Sequence, residues 1–206
     1  SNTAELELLR MQDLMAPVIH STLEGQRSAE LTFGNYVQNF VSSGGGAAGQ
    51  TSVPGLWEQV YLYVLPNLKA VKGKAVETGA THIDAITDIL IAANIGIATD
   101  TWDNIPYSEA TKGPDNNFPT FDTQESIYMD SENGIIARLK KASQVLESTN
   151  ATIAGDIMYE GDLQKWIRFS NSLQFRYLMR VSKRLQDYSE LQALLDNDKL
   201  MKSNAD

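Results

Sequence analysis

Carboxylates and aromatic rings crowd into one stretch of this chain. Residues 95–110 read Ile-Gly-Ile-Ala-Thr-Asp-Thr-Trp-Asp-Asn-Ile-Pro-Tyr-Ser-Glu-Ala. Asp100 and Asp103 stand one helical turn apart, Glu109 follows, and Trp102 and Tyr107 lie between them. Two chemistries fit these residue types. Rings stack on the apolar face of a pyranose while polar groups bond its edges, which makes Trp102, Asp103 and Tyr107 the candidate ligand contacts. Two carboxyl groups meeting across a cleft could instead hydrolyse a glycosidic bond, with Asp100, Asp103 and Glu109 the nearest candidates. Beside both stands a structural reading, in which the acids cap and form turns and the rings pack.

Other chemistries lack their residues. The chain has no cysteine, so disulfides and thiol nucleophiles are excluded within it. His20 and His82 are far apart and show no metal-ligand spacing. Asp115-Asn116-Asn117 lacks the glycine and distal glutamate of a calcium loop. The glycine-rich stretch 42–50 (S-S-G-G-G-A-A-G-Q) lacks the Gly-Lys-Ser/Thr ending of a phosphate loop and reads as a flexible loop. No metal or cofactor is therefore expected, and no catalytic residue outside the acids named above. A net charge of −9 argues against nucleic acid, which needs a basic face. No run approaches the roughly 18 apolar residues that span a bilayer.

These side chains must be positioned by helices. Apolar residues recur at three and four places in 5–23, with Pro17 as an expected break, and again in 28–41. Pro54 is a plausible helix start, and Trp57, Val60, Tyr61, Val64, Leu68 and Val71 form the next stripe, bent at Pro66. Lys69, Lys72 and Lys74 would complement that helix's dipole. Thr81-His82-Ile83-Asp84 looks like a capping box opening a largely buried helix that runs to Trp102. Ile105-Pro106 forbids its continuation. Residues 112–120 read as loop. Asp122 with Glu125 gives another cap, before a helix to about Leu146 that Asp130-Ser131-Glu132-Asn133-Gly134 interrupts. After a loop at 148–156, Asp162 caps a helix carrying Trp166, Phe169, Leu173, Tyr177 and Val181. Arg176 and Arg180 are expected to pair with acids of a neighbouring helix, and a short helix covers about 188–196. Nothing reads as sheet. The expectation is an all-α chain of helix pairs, a solenoid or irregular bundle.

Two segments carry a resemblance. Asp100-Thr101-Trp102-Asp103-Asn104-Ile105-Pro106-Tyr107-Ser108-Glu109-Ala110 resembles the D-x-x-G-D-x-P-Y-S-E-A motif of the SusD/RagB family. Tyr159-Glu160-Gly161-Asp162-Leu163-Gln164-Lys165-Trp166, continuing through Asn171-Ser172-Leu173 to Arg176 and Arg180, is similar to that family's Y-x-G-D-x-x-K-W-x-x-F-A-N-S-L-x-x-R helix. Trp57 to Leu68 and Pro119 to Tyr128 also fit. The departures are Asp103-Asn104 where the family usually has Gly-Asp, and Ser170 in place of alanine.

The resemblance implies an all-α superhelix of divergent tetratricopeptide-like helix pairs, although no 34-residue repeat is visible. It implies a single SusD-like domain over 1–206, the amino-terminal part of a longer protein. The implied function is a non-enzymatic receptor that captures glycans or other nutrients and hands them to a SusC-like TonB-dependent barrel transporter. Such receptors are lipid-anchored on the outer face of the outer membrane. The chain opens on Ser1-Asn2, so a signal peptide and lipid-bearing cysteine are expected ahead of it. The helical pattern alone leaves a protein-interaction scaffold open as the alternative, and the acids a less favoured hydrolase.

Overall fold

The computed structural model describes residues 2–36, 55–110, 116, 118–151 and 156–203. The glycine-rich segment 42–50, the helix start at Pro54, and residues 37–41 lie outside the described residues. So do residues 111–115, 117 and 152–155 of the expected loops. The described chain is α-helical: α1 (Asn2–Tyr36), α2 (Leu56–Glu58), a π-helical segment (Gln59–Val64), α3 (Leu65–Thr78), α4 (Thr81–Trp102), α5 (Gln124–Met129), α6 (Ile135–Glu147), α7 (Leu163–Arg180) and α8 (Ser189–Asp196). A two-residue antiparallel ladder pairs β1 (Ile105–Pro106) with β2 (Phe121–Asp122), Ile105 opposite Asp122 and Pro106 opposite Phe121.

α4 is the axis. It packs against α1, α3, α6 and α7, and its isoleucines Ile83, Ile86, Ile89 and Ile95 are fully or almost fully buried. Isoleucine is a mediocre helix former because its branched Cβ loses rotamer freedom, so packing rather than propensity holds α4 helical. By length and composition α4 could cross a membrane, with a mean hydropathy of 1.2, but 67% of that window is buried inside the protein. The absence of any long apolar run, expected from the sequence, is thus corrected: α4 approaches that composition because it is a core helix.

Polar atoms inside this core are satisfied locally. The Asn94 amide donates to Thr22 Oγ1 and to the Leu90 carbonyl, both at 2.8 Å, tying α4 to α1. Gly96 admits the ring of Tyr177, whose hydroxyl donates to the Ala92 carbonyl at 3.2 Å. A Cβ at Gly96 would lie 2.1 Å from that hydroxyl.

Several local expectations are overturned. The two helices expected in 5–41 are one 35-residue helix. Pro17 sits on its exposed face between buried Met15, Val18 and Ile19, whose packing carries the helix across the missing hydrogen bond. At Pro66, where a bend is expected, the helix runs on from a π-helical segment just ahead of it, with Leu65 N–H donating to Val60 O. Ahead of α4 the cap residue is Ala80, with no side-chain cap, so the box at Thr81 does not form. Asp84 turns instead to Lys72 at 2.6 Å, and Lys72 also meets Asp88 at 3.0 Å. Lys72 therefore joins α3 to α4 rather than serving the α3 dipole.

Because the Gly96 site has no room, Gly96→Ala is expected to lose about 1–3 kcal/mol, the usual range for overpacking a filled core. Urea denaturation measures this, and parental stability would contradict the packing described.

Candidate functional site

The exit of α4 is built on an unusual backbone. Asp103 follows the last helical residue with φ 67° and ψ −106°, a conformation natural to glycine and strained for a residue with a Cβ. Its surroundings fix it there. Asp103 N–H donates to Thr99 O at 2.8 Å, while Thr99 Oγ1 donates to Asp103 O at 2.6 Å. The Gln124 side chain donates to Thr99 O at 2.9 Å, and Gln124 N–H to Asn104 Oδ1 at 3.1 Å. This explains why the related motif carries glycine where this chain carries Asp103.

Beyond Pro106 the chain is fastened by carboxylates. Asp122 accepts from the amides of Tyr107 and Ser108 at 2.9 and 2.8 Å and from Ser108 Oγ at 2.8 Å. Glu109 accepts from Thr120 N–H at 2.9 Å and the Asn116 amide at 3.0 Å. The expected Asp122–Glu125 cap is corrected: Thr123 caps α5 through Ser126 N–H, and Glu125 pairs with Arg184. Asp122 is occupied across the ladder, a partner no local pattern reveals.

The three candidate contacts go to different places. Trp102 is partly buried on the core, in edge contact with Trp57 at 5.2 Å, and Trp57 lies 4.4 Å from Tyr61. The Tyr61 hydroxyl donates to Pro106 O at 2.7 Å, so the ring cluster is tied to the exit. Asp103 is exposed beside it. Tyr107 points elsewhere: its hydroxyl donates to Asn133 O at 2.5 Å and accepts from Arg138 Nε at 3.0 Å. Burial holds this hydroxyl above its ordinary range, partly offset by Arg138. Arg138 also pairs with Asp88, which completes a chain of charges from Lys72 to the motif. Tyr107, Asp122, Asp130, Asn133 and Arg138 line a polar cleft of about 420 Å³ that Trp102 and Asp103 do not reach.

The second motif is a turn and a cap. Asp156 is buried, and its carboxylate accepts from the amides of Met158, Tyr159 and Gly161 and from Trp166 Nε1, the last at 2.6 Å. Sequence reasoning left Asp156 as a loop residue; its offset from the Gly161-Asp162 turn was the available signal. Glu160 and Gly161 have positive φ, and Asp162 caps α7 through the amides of Gln164 and Lys165, as expected. Tyr159 packs edge-on against Trp166 at 5.3 Å. Ser170, in place of alanine, donates to Leu139 O at 3.1 Å and accepts from Ser143 at 2.8 Å. Of the two arginines, Arg180 pairs with Asp100. Among the described residues no cluster of His, Asp and Glu side chains could hold a metal ion.

A family model described as SusD-like, starch-binding and associating with the outer membrane matches residues 3–206, and the chain belongs to that family. Its fold is similar to a SusD homologue from Bacteroides uniformis (24% identity, 97% of this chain and 43% of that one, TM-score 0.72). It is also similar to a chitin-binding protein (23%, 94% and 44%, TM-score 0.72). A chitin-binding SusD homologue from Flavobacterium johnsoniae matches as well (21%, 95% and 42%, TM-score 0.64). The chain thus spans less than half the length of these relatives. No curated protein sequence matches it.

Asp100 offers a test of the exit's electrostatics. Its carboxylate accepts from the Tyr128 hydroxyl at 2.5 Å and pairs with Arg180, yet burial outweighs both and holds the carboxyl above the ordinary 3.8. A raised folded-state value favours the fold below the unfolded value and loses that contribution as pH rises through the folded one. Asp100→Asn is therefore expected to gain stability relative to the parent between acid and neutral pH. Denaturation midpoints across that range measure it, and an unchanging difference would contradict the assignment.

Proposed function

We propose that the whole protein is a non-catalytic receptor on the outer face of the outer membrane. In this reading a lipid anchor holds it there, and it captures an oligosaccharide for a SusC-like TonB-dependent barrel transporter. The observation that carries the reading is the family match over residues 3–206. The likeness in fold to chitin-binding proteins supports a glycan as ligand. Non-catalysis is supported by the employment of the nearby acids: Asp122 and Glu109 are spent on backbone amides, and Asp100 on Tyr128 and Arg180. A hydrolase needs two carboxyl groups free to hold a proton and a nucleophile across a cleft. Within this reading 1–206 is one domain, its α3–α4 and α6–α7 pairs are divergent tetratricopeptide-type units, and Trp102, Asp103 and Tyr107 are the candidate contacts.

Calorimetry of the full-length protein against chitin and starch oligosaccharides, with chromatography of the recovered sugar, tests the reading. Saturable binding with unchanged sugar is expected. Shortened or modified sugar would overturn it.

A further inference from the structure

We infer that the cleft bounded by α3, α4, α6 and the segment after Pro106 is an anion site, which takes a carboxylate carried on a small body with an apolar face. The site goes beyond the receptor reading and is independent of it, because it requires no glycan.

The cleft has a volume of about 270 Å³. Pockets for drug-sized ligands usually hold about 300–1,000 Å³, so this occupant is small. The floor is apolar, made by Leu65 of α3 with Ile91 and Ile95 of α4. Helical spacing sets much of the remaining lining. Lys69 and Lys72 stand one and two turns beyond Leu65 on the same face of α3. Arg138 reaches in from α6. Three cations thus line the cleft and no acid does, in a chain with 26 acidic residues against 17 basic ones. A cleft of one charge sign with low-dielectric walls focuses its field and concentrates the opposite charge.

Knitting the helices together accounts for only part of this charge. Lys72 donates to Asp84 at 2.6 Å and to Asp88 at 3.0 Å. Arg138 gives Nε to the Tyr107 hydroxyl at 3.0 Å and one terminal nitrogen to Asp88. Both acids lie outside the cleft lining, so they steady the cations without closing the cleft. Among the described residues these bonds leave the third N–H of Lys72 and the second terminal nitrogen of Arg138 for a ligand. The Tyr107 ring, centred 5.7 Å from the guanidinium carbon, holds Arg138 further in place. An ammonium and a planar guanidinium side by side suit a carboxylate, which accepts from both. The apolar floor sets the second requirement. An inorganic anion would leave Leu65, Ile91 and Ile95 uncovered, whereas an organic acid with an apolar face buries them.

Calorimetric titration of the full-length protein compares two carboxylates with their neutral amides: glucuronate against glucuronamide, and benzoate against benzamide. A carboxylate should bind about tenfold or more tightly than its amide, the difference typical of one charge-assisted hydrogen bond. Tighter binding of glucuronate identifies a sugar-borne carboxylate, and tighter binding of benzoate a free hydrophobic acid. Lys69 is exposed, and Lys69→Gln spares the bonds among Lys72, Asp88 and Arg138. It should weaken the tighter carboxylate about threefold, the scale of one exposed charge. The double variant Lys72→Gln with Asp84→Asn removes a pair together, so that no acid is stranded, and should weaken it about tenfold. Parental affinity in both variants, equal affinity for carboxylate and amide, or binding of neither carboxylate would overturn the inference. Each of these results would leave the receptor reading standing.

Discussion

α4 is buried on nearly every side, and the rest of the structure answers to that constraint. A helix buried along most of its length leaves its neighbours little slack. Tyr177 can reach it only because Gly96 has no side chain. Its one buried amide side chain, on Asn94, has to find Thr22 and a carbonyl. Its last turn has to leave the core, because Ile105-Pro106 cannot extend it. The exit through Asp103 is where a tightly packed interior is converted into surface.

Carboxylates make that conversion hold. Asp122 and Glu109 fasten the segment after Pro106, and Asp156 and Asp162 fasten the turn before α7. Each accepts from N–H groups that a turn would otherwise leave unpaired, and ionised acceptors make such bonds short and strong. The two motifs that a family resemblance singles out therefore have a physical content: both are devices for ending or starting a helix against the core.

The helices were legible where spacing alone decides, as along Trp57 to Val71, and the Asp162 cap was legible because its partners are two and three residues away. The all-α fold with its helix pairs followed from the same periodicity. What escaped the sequence depends on distant partners. Asp84 looks like half of a capping box until α3 brings Lys72 to it. Asp122 looks like a cap until β1 lies beside it, and Pro17 looks like a break until flanking side chains are seen in the core. At the candidate site the rings of Trp102 and Tyr107 were visible as types. Their separation into a ring cluster and an Arg138-bound cleft was not, because Arg138, Asp88 and Asn133 lie on other elements. The strain at Asp103 could be read only from its dihedral angles.

The most direct measurement is a crystal structure of the full-length protein with a neutral oligosaccharide bound. The account predicts an intact sugar, with every glycosidic bond of the added oligosaccharide unbroken. A cleaved or chemically modified sugar would contradict it.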